Sequence, residues 1–131
     1  MKKLLFILLL CPVFSFAQEE WEFVGSSTNQ DQYFIRDVSE KTNSNKIKFW
    51  VKSVRSEKSI KKSKGEKPGD YSVSKWEGDC DEETILTKIM VFYNSDGEII
   101  NSSDGPFKES PTIPDTMGEK VLKTACSKFR N

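Results

Sequence analysis

Residues 46–56 read Lys46-Ile47-Lys48-Phe49-Trp50-Val51-Lys52-Ser53-Val54-Arg55-Ser56. Ile47, Phe49 and Val51 project to one side of an extended chain, and Lys48, Trp50 and Lys52 to the other. A period of two is that of a β-strand, whose successive side chains alternate between the two faces of a sheet. The segment is therefore predicted as a strand with one buried and one wet face. Trp50 falls on the wet face with the lysines. A large aromatic there either packs against cross-strand neighbours or marks an interface.

Strand signals continue on both sides. Upstream, residues 21–25 (Trp-Glu-Phe-Val-Gly) and 33–38 (Tyr-Phe-Ile-Arg-Asp-Val) are short aromatic and β-branched runs separated by a polar turn. Downstream, residues 71–79 and 84–93 form two more, the second being the most apolar. Asn94-Ser95-Asp96-Gly97 is a hairpin turn, and residues 98–101 form a short return strand. Residues 101–114 carry Pro106, Pro111 and Pro114 and read as loop.

The period changes at the C-terminus. Thr116 and Glu119 have capping-box spacing. Met117, Val121, Leu122, Ala125, Cys126 and Phe129 then form one apolar stripe at helical spacing, with Lys123, Lys128 and Arg130 toward the end that favours cations. The fold class is thus α+β: a single antiparallel sheet of five to six strands, with a C-terminal helix burying its stripe on one face.

The first 17 residues form an address. Lys2 and Lys3 precede the apolar run Leu4–Leu10, and Ser15-Phe16-Ala17 offers small residues for cleavage before Gln18. Residues 1–17 are read as a signal peptide and residues 18–131 as one domain. The apolar run is too short to span a bilayer, so no transmembrane segment is expected after the leader is removed. Leu10 before Cys11 does not fit a lipidation signal, so Cys11 is assigned to the leader. The domain then keeps two cysteines, and an even pair in an exported chain reads as one disulfide. Cys126 lies on the helical stripe and Cys80 at the end of the fourth strand, so a Cys80–Cys126 bond would clip helix to sheet.

Composition narrows the chemistry. The 131 residues include no His and balance 20 basic against 20 acidic side chains. Without His there is no Ser-His-Asp or Cys-His pairing and no His-containing zinc site. Balanced charge argues against nucleic-acid binding. No enzyme, cofactor or metal is expected. Asp79, Asp81, Glu82 and Glu83 cluster around Cys80, but they lack an EF-hand spacing and read as a polar turn rather than a calcium site. Residues 57–70 carry Lys58, Lys61, Lys62, Lys64 and Lys67 with one apolar side chain, Ile60, and are expected to be a mobile loop. Such a run is usually solvated; as a site it would suit heparin-like glycans, anionic lipid or an acidic protein patch. Trp50 and these five lysines are the candidate binding residues.

Six stretches together resemble one family: Trp21-Glu22-Phe23-Val24-Gly25, Tyr33-Phe34-Ile35-Arg36-Asp37, Phe49-Trp50-Val51, Ser74-Lys75-Trp76-Glu77-Gly78-Asp79-Cys80, Tyr93-Asn94-Ser95-Asp96-Gly97 and the ending from Ile113-Pro114-Asp115-Thr116-Met117-Gly118-Glu119 through Cys126. The chain is similar to the surface-adhesin protein E family of bacterial exported proteins. The resemblance implies an antiparallel sheet with the C-terminal helix on its concave face, tied by a disulfide. It also implies a homodimer and binding to host matrix or plasma proteins such as vitronectin, laminin or plasminogen. The shared residues look like fold residues, so the resemblance carries over no ligand contacts. The expected function is a non-enzymatic binding module in the periplasm, at the cell surface or secreted. The alternative is a periplasmic inhibitor or immunity-type protein binding a bacterial partner, because fold alone does not fix function.

Overall fold

A computed structural model of the chain describes residues 20–42, 44–61 and 65–129. The segment expected to be a leader, with Cys11, lies outside the described residues, as do Lys62, Lys64 and Arg130. Six main strands follow one another: β1 (Glu22–Ser26), β2 (Gln32–Glu40), β3 (Lys46–Val54), β4 (Tyr71–Asp79), β5 (Thr84–Tyr93) and β6 (Ile99–Ser103). They pair antiparallel in sequence order, a simple meander. Helix α1 (Glu57–Ile60) is a single turn after β3, and α2 (Met117–Ser127) closes the chain. The α+β architecture read from the sequence is the one observed.

The alternation in residues 46–56 sets the two faces. Ile47, Phe49 and Val51 are buried with Ile35 of β2, and α2 adds Val121, Leu122 and Ala125 to the same cluster. Phe49 pairs across the strands with Trp76, whose ring meets it edge-on with centroids 5.9 Å apart. An isolated helix of 11 residues is marginal in water. The stripe is therefore stable mainly because burying each large side chain contributes about 1.5–3 kcal/mol. Gly78 makes the close approach possible: a Cβ there would collide with the Leu122 side chain and touch Phe49 and Ile47.

Both ends of α2 follow the capping logic in part. Thr116 Oγ1 accepts from the Glu119 N–H at 3.4 Å. Glu119 returns its carboxylate to the Asp115 N–H at 3.5 Å, not to the Thr116 N–H, which donates to the Ile113 carbonyl instead. Lys128 is the C-cap and pairs with Glu22 of β1, and Lys123 pairs with Glu119 one turn back. Phe129, placed on the stripe by spacing, lies past the cap and is exposed, because the helix ends before its turn of the stripe.

The Cys80–Cys126 disulfide is present. The body of α2 lies over β1, β2 and β3 and meets β4 at Gly78, and the bond fastens its last turn to the end of β4.

Three local expectations are corrected. The return strand runs Ile99–Ser103, two residues beyond the expected end. Within the presumed loop after it, Ser110–Pro111 forms a two-residue strand, β7, on the first residues of β5. Residues 57–70 do not start as an unanchored loop. Ser56 caps α1 by accepting from the Ser59 N–H, and Ser59 is buried with its hydroxyl donating to Asp31 at 3.0 Å. Asp31 also accepts from the Ser56 N–H at 2.9 Å and from Arg55 at 3.2 Å. At the far end the buried Asp70 accepts from the N–H groups of Lys67 (2.9 Å) and Ser95 (3.2 Å). Composition suggested disorder because it counts apolar area; two buried carboxylates supply the order here through charge-assisted hydrogen bonds.

Candidate functional site

The face of the sheet opposite α2 is the candidate site. Strand register lays its side chains in cross-strand rows. One row is Arg36, Trp50, Lys75 and Ile89 on β2 to β5. The next is Phe34, Lys52, Val73 and Val91, and beyond it lie Gln32, Val54, Tyr71 and Tyr93. On the other flank the row is Ser39, Lys48, Glu77 and Leu86. An antiparallel sheet with one solvated face ordinarily shows mostly polar side chains there. This one interleaves aromatic rings with cations.

The interleaving has a definite geometry. The Tyr93 and Tyr71 rings stack with centroids 4.9 Å apart. Lys52 Nζ lies 4.6 Å from the Tyr71 centroid and 5.8 Å from that of Trp21. The Arg36 guanidinium sits 4.6 Å from the same Trp21 ring. Tyr93, Tyr71, Lys52, Trp21 and Arg36 thus form one continuous ladder across the sheet, and Lys75 over Trp50 at 5.6 Å stands beside it. A cation over a ring face gains about 0.5–1 kcal/mol at exposed sites, enough to hold a flexible Lys stem in place.

Charge is unevenly distributed. The four rows contain Lys48, Arg36, Lys75 and Lys52 but one carboxylate, Glu77. Glu77 is already engaged by Lys41 at 3.4 Å and Lys88 at 3.7 Å. Arg36 has Asp37 at 3.5 Å. Among the described residues Lys52 and Lys75 form no salt bridge. A chain with no formal net charge therefore carries a locally positive face.

Trp50 lies at the centre of this surface, half-buried by its cross-strand neighbours and untouched by the helix. The lysine candidates are elsewhere. Lys58 donates to the Thr28 carbonyl at 3.2 Å, at the end of the sheet where β1 turns into β2. Lys61 and Lys67 are exposed, and Lys62 and Lys64 lie outside the described residues. Trp50 on the open face and Lys58 at the end of the sheet are not brought into one site.

Arg36, Lys52, Lys75, Trp21 and Tyr71 were not singled out from the sequence. Nothing local in the sequence joins them: they are spread over β2, β3, β4 and the residue before β1, and register decides which of them share a face. The sequence profile of the surface-adhesin protein E family matches residues 21–127. The chain belongs to the surface-adhesin protein E family. No curated protein and no solved structure matches it. Membership makes this chain an adhesin-like binding module of an exported, surface-associated family.

Other features of this surface-adhesin protein E member are plainer. A hollow of about 320 Å³ beside the lysine segment is lined by Arg55, Glu66, Asp70, Tyr71 and Tyr93 among others. Its Arg55 is engaged by Asp31 and by Glu66 at 3.5 Å. In the acidic turn after β4, Asp79 accepts from the N–H groups of Asp81 and Glu82, folding a turn within the cluster. Among the described residues no three His, Cys, Asp or Glu side chains converge as a metal site. Among those residues no helix is long and apolar enough to cross a membrane.

Proposed function

We propose that this member of the surface-adhesin protein E family is a non-enzymatic binding module, exported by a leader cleaved after Ala17, that docks host extracellular-matrix or plasma proteins on the open sheet face. The observation that carries this reading is Trp50 in the centre of an aromatic and cationic surface with the helix packed on the other side. Half-buried Trp, Tyr and Arg side chains are the types that dominate binding energy at interfaces. The ladder holds them rigid before a partner arrives, which lowers the ordering cost of association. Vitronectin, laminin and plasminogen are the partners to test first, with a second copy of the chain as a further one. The lysine segment, Lys58 to Lys67, is a secondary contact.

The test is binding of the oxidised protein, residues 18–131, to immobilised vitronectin, laminin and plasminogen at physiological salt. Saturable binding to one of them is expected. It should survive Ser at all five lysines and weaken tenfold or more with Trp50→Ala, as for an anchor worth about 1.4 kcal/mol or above. Silence toward all three, or binding indifferent to Trp50, would sink this reading.

A further inference from the structure

We propose that the open sheet face binds a linear sulfated polysaccharide through Arg36, Lys52 and Lys75, held in position by Trp21, Tyr71 and Trp50. The inference deepens the adhesin reading and rests on that face being the contact surface. Four features argue for it together.

The first is unbalanced charge. Lys52 and Lys75 have no carboxylate partner among the described residues, their own rows carry no carboxylate, and Glu77 of the neighbouring row is shared by two other lysines. Two cations, Arg36 and Lys52, crowd one ring, Trp21. Like charges so placed repel, and an incoming anion relieves the repulsion.

The second is the state of the rings. Trp21 is engaged by two cations, and Tyr71 by Lys52 on one contact and Tyr93 on another. Recognition of single-stranded nucleic acid uses ring faces as platforms for bases. Here Trp21 and Tyr71 already hold cations, so what the surface offers a ligand is chiefly positive charge.

The third is spacing. Arg36 and Lys75 share one row with Trp50 between them, so their backbones stand two strands apart, about 9.5–10 Å. An extended acidic peptide repeats its same-side carboxylates at about 6.5–7 Å. The wider step suits the disaccharide repeat of a sulfated chain lying across the strands. Lys52, two residues along β3 from Trp50, meets a group offset to one side.

The fourth is preorganisation. Ordering a free Lys or Arg side chain costs rotamer entropy. Cation–ring contacts already hold these heads, so a weak array of charges can be specific.

The experiment titrates a heparin-derived oligosaccharide of defined length into the oxidised protein by calorimetry at several salt concentrations. Saturable binding is expected, with log K falling against log salt at a slope of about −3, near one per cation neutralised. Arg36→Gln/Lys52→Gln/Lys75→Gln should weaken it roughly tenfold or more, because each exposed charge supplies a factor of a few. Ser at the five lysines of residues 58–67 should leave it nearly unchanged. If the triple variant unfolds more readily, Lys52→Gln and Lys75→Gln are read singly, each expected to weaken binding severalfold, and Lys52→Arg/Lys75→Arg should retain it. No binding overturns the proposal. So does loss in the loop variant with retention in the face variant, and so does equal affinity for poly-glutamate or a single-stranded oligonucleotide. A parallel arm uses matrix proteins stripped of glycan. Binding there with a silent oligosaccharide removes this inference and keeps the adhesin reading; the reverse outcome removes host-protein docking alone.

Discussion

Replacing both Cys80 and Cys126 with Ala tests how much of this fold depends on one covalent clip. The two residues are 46 apart in sequence. In the chain-entropy model, a loop of that size restricts the unfolded chain enough to contribute about 4 kcal/mol at 25 °C. Small domains hold only about 5–15 kcal/mol in total. The native contacts of α2 are made largely away from the bond, through Val121, Leu122 and Ala125 against the buried face of the sheet. The double variant should therefore keep the native fold and lose stability mainly through its freer unfolded state. At the few degrees per kcal/mol usual for this size, the melting temperature should drop by more than about ten degrees. The urea m-value should rise, because an uncrosslinked unfolded chain exposes more surface. Thermal and urea unfolding of the oxidised protein and the variant, followed by far-UV circular dichroism, measure both. A drop of one or two degrees with an unchanged m-value would refute the reasoning and place the helix's stability in packing alone.

Three further outcomes are expected. Leu122→Ala should cost about 2–5 kcal/mol in urea unfolding, as a buried leucine truncated against the sheet; Gly78→Ala should cost about 1–3 kcal/mol by collision with Leu122, and the pair together less than the sum, since one change opens the space the other needs. Asp31→Ala removes the acceptor shared by Ser56, Ser59 and Arg55, so amides of residues 57–61 should exchange markedly faster while those of β3 and β4 do not; unchanged exchange there would show that α1 is held by something else. Thr116→Ala should destabilise by about 1 kcal/mol through loss of the N-cap, and Thr116→Ser by much less, measured by chemical denaturation.

The contrast between the two lysine-bearing regions shows where sequence reasoning stops. The segment 57–70 drew attention because its charges are adjacent in the chain. In the structure its beginning is a capped turn tied down by Asp31, a residue 25 positions before the cap it holds. The cations of the open face are scattered over β2, β3 and β4, and none is conspicuous alone. Trp50 was legible because alternation within one strand already assigns its face. Lys75 and Arg36 were not, because a strand's own pattern says nothing about its neighbour's register.

Several features were determined by sequence alone. Period two in residues 46–56 and the helical stripe from Met117 to Cys126 fixed the element types, since backbone geometry couples each period to one conformation. The cysteine pair, with the leader expected before it, set the expectation of a disulfide. The family resemblance followed from the same runs, and the profile match over residues 21–127 bears it out. Tertiary structure decided the rest. It chose which face α2 covers, through the space left by Gly78 beneath Leu122. It gave order to the start of a segment that has little apolar area of its own. It also assembled Tyr93, Tyr71, Lys52, Trp21 and Arg36 into one ladder. The physical reason is common to all three: local sequence specifies a residue's own dihedral preference and face. Contacts between strands depend on register, and register is settled only when the whole sheet and its buried face form together.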